Sequence, residues 1–434
     1  MPHDGRERAL LVGLAAVYVV LLQWTYVHDL HPRWAYMGLE HHAPAAWVRG
    51  TLSVLAVVPA LWMPRALGRP SQIGLWFLYL LVYVPSLLVP MESVGGPPGR
   101  WIGLGVMLLG CMAGLCWSYV LPLGRRARMD APEASPRFWL WFGVAAVGLH
   151  VAVVVKFGLP QSLPSWAEIY DVRAEFGDVA RSGGRLGAYA VAWAANVINP
   201  VLIAWGVVRR RPGVVLLGVA GQLLLFGITA LKSVVLSAGL IAVVVFVMRD
   251  GGRRFGRWML GGATALLVLG MLEAHFADGQ LVAGVLVRRT VVVPGQLMGL
   301  YVDYYAQHEH AWLGHSVLEG LVPHASAVAP PRLVGGQYFA SVASANASVW
   351  ADGYANFGGL GMAAATGLLA AVLWAYDRAA VGLPGALAAA LFALPAFNLA
   401  NSALLTSLLT HGVLLVIGVA ALLPRVDRAG GQPA

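Results

Sequence analysis

Charge is scarce in this chain. Asp, Glu, Lys and Arg make up 11% of 434 residues, where a soluble globular protein carries roughly 25%. That composition excludes a soluble domain. Lysine is nearly absent: Lys156 and Lys232 are the only two, and arginine carries the rest of the positive charge. Cys111 and Cys116 are the only cysteines and share one apolar run. They read as small hydrophobes, which excludes a disulfide framework and a thiolate metal site. There is no GxxxxGK[ST] and no dinucleotide glycine fingerprint, so nothing points to ATP or nicotinamide chemistry. The apolar runs are continuous rather than alternating, which argues against a membrane barrel. No small-residue cleavage site follows the first run, which ends in Trp24-Thr25-Tyr26. The charged start before it therefore opens a retained span rather than a removed signal.

Long apolar runs are what remains. The chain is 59% hydrophobic with mean hydropathy +0.71. A bilayer core about 30 Å thick needs about 20 helical residues to cross, and helices satisfy their own backbone groups on the way. The pattern predicts an all-α polytopic membrane protein, one domain over 1–434. Twelve spans are expected: 9–27, 46–63, 73–91, 101–121, 138–156, 186–208, 213–231, 234–248, 258–276, 357–375, 382–400 and 405–423. The run 213–248 is too long for one helix, so Lys232-Ser233 reads as a tight turn between two spans.

Arginine fixes the expected orientation. Arg6/Arg8, Arg65/Arg69, Arg125/Arg126/Arg128/Arg137, Arg209–Arg211, Arg249/Arg253/Arg254/Arg257, Arg378 and Arg425/Arg428 fall in alternate short segments. The positive-inside rule makes these segments cytoplasmic, together with both termini. The net charge of +9 is then mostly topology. Scattered over separate loops, it does not form a nucleic-acid footprint.

Two larger loops, 157–185 and 277–356, are expected on the outer face. A loop as long as the second more often carries function than mere connection. In the first, Glu168, Asp171 and Glu175 lie at helical spacing and predict a short surface helix. Its acids read equally as solvated ion pairs or as functional groups. Arg173 reads as a phosphate ligand, because a guanidinium fork matches phosphate oxygens and stays charged; Arg181 and Arg185 follow it. Lys232 reads either as a snorkelling cation or as a phosphate ligand facing the bundle. The second loop carries Arg288-Arg289, with Gly299 ten residues beyond Arg288, then Tyr301, Asp303, Tyr304 and Tyr305. Such aromatics suit sugar stacking or an interface. His308, Glu309, His310 and His315 match no zinc spacing, and no metal is expected. The loop closes on Asp352-Gly-Tyr354-Ala-Asn356-Phe357-Gly358-Gly-Leu-Gly361, an acid, a phenol and an amide at a water–lipid boundary.

Four segments together resemble the Wzy-type O-antigen polymerases, also called oligosaccharide repeat unit polymerases. Tyr170-Asp171-Val172-Arg173-Ala174-Glu175 is similar to the family's acidic/arginine segment before a central span. Gly227 through Lys232-Ser233 is similar to its Gly…Lys-Ser turn. Gly314-His315-Ser316 through Leu321-Val322-Pro323 resembles its Gly-x-Ser…Pro stretch. Asp352 through Gly361 resembles its acid-x-Tyr-x-Asn-Phe-Gly signature. The likeness covers residues 165–375. Two features depart from the pattern: the family often has Glu at the position of Asp352, and sixteen residues past Arg173 stands Tyr189 rather than glycine.

The resemblance implies glycosyl transfer at the outer face of a bacterial cytoplasmic membrane, with no cofactor. A growing glycan on a polyprenyl diphosphate would move onto a lipid-linked repeat unit. Arg173, Lys232 and Arg288, with Arg289 and Arg181 in reserve, would stabilise the leaving diphosphate. Asp352 would take the acceptor proton, with Glu175 and Asp303 as rivals. Tyr354, Asn356, Tyr304 and Tyr305 would hold sugar hydroxyls, and Gly358 and Gly361 would allow close helix packing. Implied partners are the lipid-linked donor and acceptor, membrane lipids, a flippase and a chain-length regulator. An O-antigen ligase would share this site, whereas a lipid-linked oligosaccharide flippase should show internal repeats and a charged path through the membrane. The sequence shows neither of those two.

Overall fold

A computed structural model of the protein describes residues 2–123, 136–160, 162–165, 168–182, 185–319, 321–322, 326–339 and 344–425. Arg125, Arg126, Arg128, Trp166, Pro323 and Arg428 lie outside these residues, as do the side chains of Tyr170, Arg181 and Arg185. In chain order the helices are α1 (Gly5–Met37), α2 (Ala46–Leu61), α3 (Gln72–Ser93), α4 (Pro98–Ser118), α5 (Arg137–Phe157), α6 (Ile169–Ser182), α7 (Gly187–Val208) and α8 (Pro212–Thr229). They continue as α9 (Lys232–Asp250), α10 (Phe255–Phe276), α11 (Leu281–Tyr305), α12 (Pro330–Tyr338), α13 (Val349–Ala379), α14 (Gly385–Asn398) and α15 (Leu404–Leu422). Among the described residues no strand forms, and eleven helices are long and apolar enough to cross a membrane. The protein is an all-α polytopic membrane protein.

Each of the twelve expected spans falls on one helix, but α2 and α14 are short, with 16 and 14 residues. At 1.5 Å per residue neither covers a bilayer core alone. Burial compensates for α14, whose apolar residues sit inside the bundle between α3, α7, α9 and α15. Helix α3 is buried along its whole length and forms the axis. The turn before Lys232 is real: α8 ends at Thr229, Ala230 turns the chain at φ +51°, and Lys232 begins α9.

The arginine-rich turns gather at one end of the bundle. There the Leu67 N–H donates to Gly252 O and the Gly256 N–H to Arg65 O, both at 2.9 Å. Arg8 donates to Met63 O at 2.8 Å, Arg69 to Leu121 O at 2.6 Å and Arg378 to Leu123 O at 2.9 Å. These side chains satisfy carbonyls that helix ends leave open. The arginines thus stitch the turns together, besides marking one face.

The stretch 277–356 is not one loop. It contains α11, which the sequence reading missed because Arg288, Arg289, Gln296 and Asp303 interrupt its apolar pattern. Both ends of α11 lie at the end opposite the arginine-rich turns. At its start, the Leu281, Val282 and Ala283 N–H groups donate to the Glu273 carboxylate at 3.0, 2.7 and 2.8 Å. A carboxylate there complements the exposed N–H groups of a helix start. At its end, Asp303 pairs with Arg100 at the start of α4. Between them Gly295 and Gly299 press on Pro85 and Pro90 of α3, an approach that a side chain would block. Helix α11 packs on α10 along its first half and on α3 along its second.

Two cores form. The main one takes buried residues from every helix except α6 and α8. A smaller one joins Val153 of α5, Ala190 and Ala194 of α7, Leu225 and Ile228 of α8, and Val234 of α9. Phe176 of α6 packs on it and stacks against Phe157 at 5.0 Å. That contact lays α6 across the helix ends and sets the position of Arg173.

Candidate functional site: a cation cluster and a broken helix

Arg173, Lys232 and Arg289 come from helices far apart in the chain, yet Lys232 and Arg289 both lie within reach of the Arg173 charge. Arg173 acts on both Lys232 and Arg289, and Arg289 also feels Arg288. Arg288 in turn lies over the Trp34 ring at 5.4 Å. Among the described residues, neither Arg173 nor Arg289 makes an ion pair with a carboxylate. The local pairing open to Arg173 in the sequence, with Glu168, Asp171 or Glu175, does not form. Glu168 instead accepts the Ser165 N–H at 2.8 Å, and that bonding holds its carboxyl below the usual carboxylate range. Glu175 is exposed on α6. Like charges brought near one another repel, less in bulk water and more at a protein surface. Cations held this way from three elements suit a polyvalent anion.

The second half of the site is a broken helix. Within α13, Phe357 (φ −147°, ψ 25°) and Gly358 (φ 59°, ψ −141°) leave helical geometry. The chain doubles back there. Trp350 Nε1 donates to Thr366 Oγ1 at 3.0 Å, and a Cβ on Gly353 would stand 2.7 Å from the Gly361 carbonyl oxygen. Residues 349–356 thus form a short half-helix packed glycine to glycine on the start of the following span. Gly358 takes a backbone conformation essentially closed to other residues, and Gly361 is the floor that Gly353 rests on.

Asp352 lies in the first turn of this half-helix. Its side chain is partly exposed. Tyr301 and Tyr305 both feel its charge. Among the described residues it has no ion-pair partner, and Asn356 is its side-chain neighbour. The Tyr305 hydroxyl is buried with no hydrogen-bond partner there. Tyr305 stacks on His310 at 5.8 Å, and His310 meets Tyr354 edge-on at 6.1 Å. Trp312 meets Phe357 at 5.4 Å, and Tyr304 stacks on His308 at 4.0 Å. A carboxylate, an unsatisfied phenol and aromatic rings gather here, which suits a polyhydroxylated ligand.

Two expected roles are corrected. Asn356 does not reach out to a ligand: its Oδ1 accepts the Leu313 N–H at 2.7 Å and its Nδ2 donates to Asp352 O at 2.8 Å. Both ends of its amide are used to clamp the 311–313 turn onto the half-helix. Asp303 is not free to act as a base. Arg100 binds one of its oxygens and the Tyr338 hydroxyl donates to the other at 2.6 Å. Burial, with the Asp303 bond, pushes the Tyr338 phenol above its ordinary range. The sequence reading missed Arg100, Tyr338 and Trp312, and weighed His310 only as a metal ligand. Only Arg100 carried a signal, as a lone arginine at the arginine-poor end of its span.

Among the described residues no three His, Cys, Asp or Glu side chains gather as a metal ligand set. Compared with known proteins, the chain matches no family model, no curated protein and no solved structure.

Proposed function

We propose that the chain is a lipid-linked glycosyltransferase of polymerase type, working at the outer face of a bacterial cytoplasmic membrane. The end of the bundle opposite the arginine-rich turns is that outer face on the positive-inside rule. The observation that carries the reading is the gathering of Arg173, Lys232 and Arg289, where that rule gives arginine no reason to collect. The cluster holds the leaving diphosphate of a polyprenyl carrier, whose charge it stabilises in the transition state. Asp352 takes the acceptor hydroxyl's proton, and Tyr305 and Tyr354 hold the sugars beside it. Helix α11 joins the two halves, with Arg289 towards one end and Tyr301 and Tyr305 towards the other. The diphosphate then lies along that helix, with its sugar towards Asp352.

Purified protein and lipid-linked repeat unit test this. Asp352→Asn keeps size but removes the basic oxygen, so turnover should fall about 100- to 10,000-fold with substrate binding retained. Turnover close to that of the parent protein would remove Asp352 from this role. No polymer from the parent protein, given competent substrate, would sink the reading.

A further inference from the structure

The turn that follows α11 is strained. Trp312 (φ +49°) and Leu313 (φ +64°) are consecutive left-handed residues, and neither is glycine. A residue with a Cβ is crowded in that region, so two in succession persist only where their surroundings over-determine them. Here hydrogen bonds do so. The Ala311 N–H donates to Ala355 O at 2.9 Å, and the Leu313 N–H to Asn356 Oδ1 at 2.7 Å. Within the turn, the Gly314 N–H donates to Ala311 O at 2.9 Å and the Ser316 N–H to Leu313 O at 3.0 Å.

The strain does not bury the largest side chain. Ala311 and Gly314 are buried, but Trp312 is 44% exposed. The turn therefore holds an indole in the open, and holds it firmly. Trp312 meets Phe357 at 5.4 Å and His310 edge-on at 5.9 Å. His310 in turn touches Tyr354 and Tyr305, so a continuous run of rings leads from Trp312 inwards to the two phenols. Two hydrogen bonds in series, Leu313 to Asn356 and Asn356 to Asp352 O, tie the turn to the residue that carries the carboxylate. The indole keeps a fixed place relative to Asp352. A tryptophan that only anchors a protein among lipid headgroups needs neither the strain nor this linkage.

We propose that Trp312 is the stacking platform for a second pyranose of the bound oligosaccharide, one ring outward from the sugar at Tyr305 and Tyr354. The indole face takes the C–H face of the pyranose, and the sugar's hydroxyls stay in water. The site then favours a chain of two or more sugars over a monosaccharide, and a pyranose with an uninterrupted C–H face at the outer position. That the bound molecule is a glycan rests on the function proposed above.

Kinetics on lipid-linked repeat unit extracted from the producing cells test this, beside saturation-transfer NMR on the same oligosaccharide freed of its lipid. Trp312→Gly removes the ring and relaxes the left-handed backbone, so folding is not at stake. Its KM should rise about tenfold while kcat stays within about twofold, because Asp352 is untouched. Trp312→Phe keeps a ring and should stay within about threefold of the parent KM. In the parent protein, saturation should concentrate on the C–H protons of one sugar ring, and it should vanish there in Trp312→Gly. An unchanged KM in Trp312→Gly, saturation spread evenly over the oligosaccharide, or a Phe variant as impaired as the Gly variant would overturn the proposal. A lower melting midpoint in nanodiscs with unchanged KM would overturn it too, and make Trp312 a membrane anchor. Parent protein that binds the freed oligosaccharide through Trp312 but makes no polymer would sink the transferase reading and leave the platform. Polymer made at unchanged KM by Trp312→Gly would do the reverse.

Discussion

At the scale of single residues, polar side chains near the broken helix separate into those that are used up and those that are open. Asn356 is used up, and its loss should be felt in stability. Asn356→Ala leaves the Leu313 N–H without its acceptor and frees the 311–313 turn. Losing a buried hydrogen bond this way costs about 1–3 kcal/mol, so the melting midpoint in detergent should fall clearly. An unchanged midpoint would return Asn356 to the ligand-facing set. Asp303 is used up by Arg100 and Tyr338, whereas Asp352 and the Tyr305 hydroxyl remain open. The sequence named Asn356, Asp303, Asp352 and Tyr305 without separating the engaged from the open. An amide or a carboxylate carries no mark of whether its partner is protein or ligand, and Arg100 and Tyr338 lie far from Asp303 in the chain.

At the scale of elements, the twelve apolar helices were legible because each is an apolar run, although α2 and α14 fall short of a full span. Helix α11 was not, since its Arg288, Arg289 and Asp303 serve the site and break the run. The half-helix 349–356 was hidden too. Its glycines mark close packing, but sequence cannot say that Gly361 packs on Gly353 within one hairpin rather than on another helix. Gly361→Ala should prevent the native hairpin, because the new methyl would run into the Gly353 carbonyl; loss of monodisperse protein on size-exclusion chromatography is the expected result. An Ala variant that folds and works would contradict the doubled-back geometry. The placement of both ends of α11 has its own test. Cysteines at Leu281 and Gln307, both exposed, should react with an impermeant reagent from the same side of the membrane, once Cys111 and Cys116 are replaced. Reaction from opposite sides would make α11 a crossing.

At the scale of the whole molecule, the fold has two ends with different uses for cations. At one end arginines close turns by binding backbone carbonyls. At the other, Arg173 rides on α6 over the smaller core, Arg289 projects from α11 in the main core, and Lys232 stands at the head of α9 between them. The seam between the cores brings the three together. Spacing alone does not show this, because more than fifty residues separate each from the next; only the family resemblance grouped them. Arg173 and Arg289 make no ion pair among the described residues, so for an anion site stability and binding should move in opposite directions. The decisive measurement is a paired one on Arg173→Ala and Arg289→Ala: thermal stability without ligand, and affinity for a polyprenyl diphosphate. Each variant should be as stable as the parent or more so, because one of three like charges is gone. Each should bind at least about tenfold more weakly, since a charge-assisted hydrogen bond contributes about 1.5–3 kcal/mol. Reduced stability with unchanged affinity would make these arginines structural and contradict the anion site.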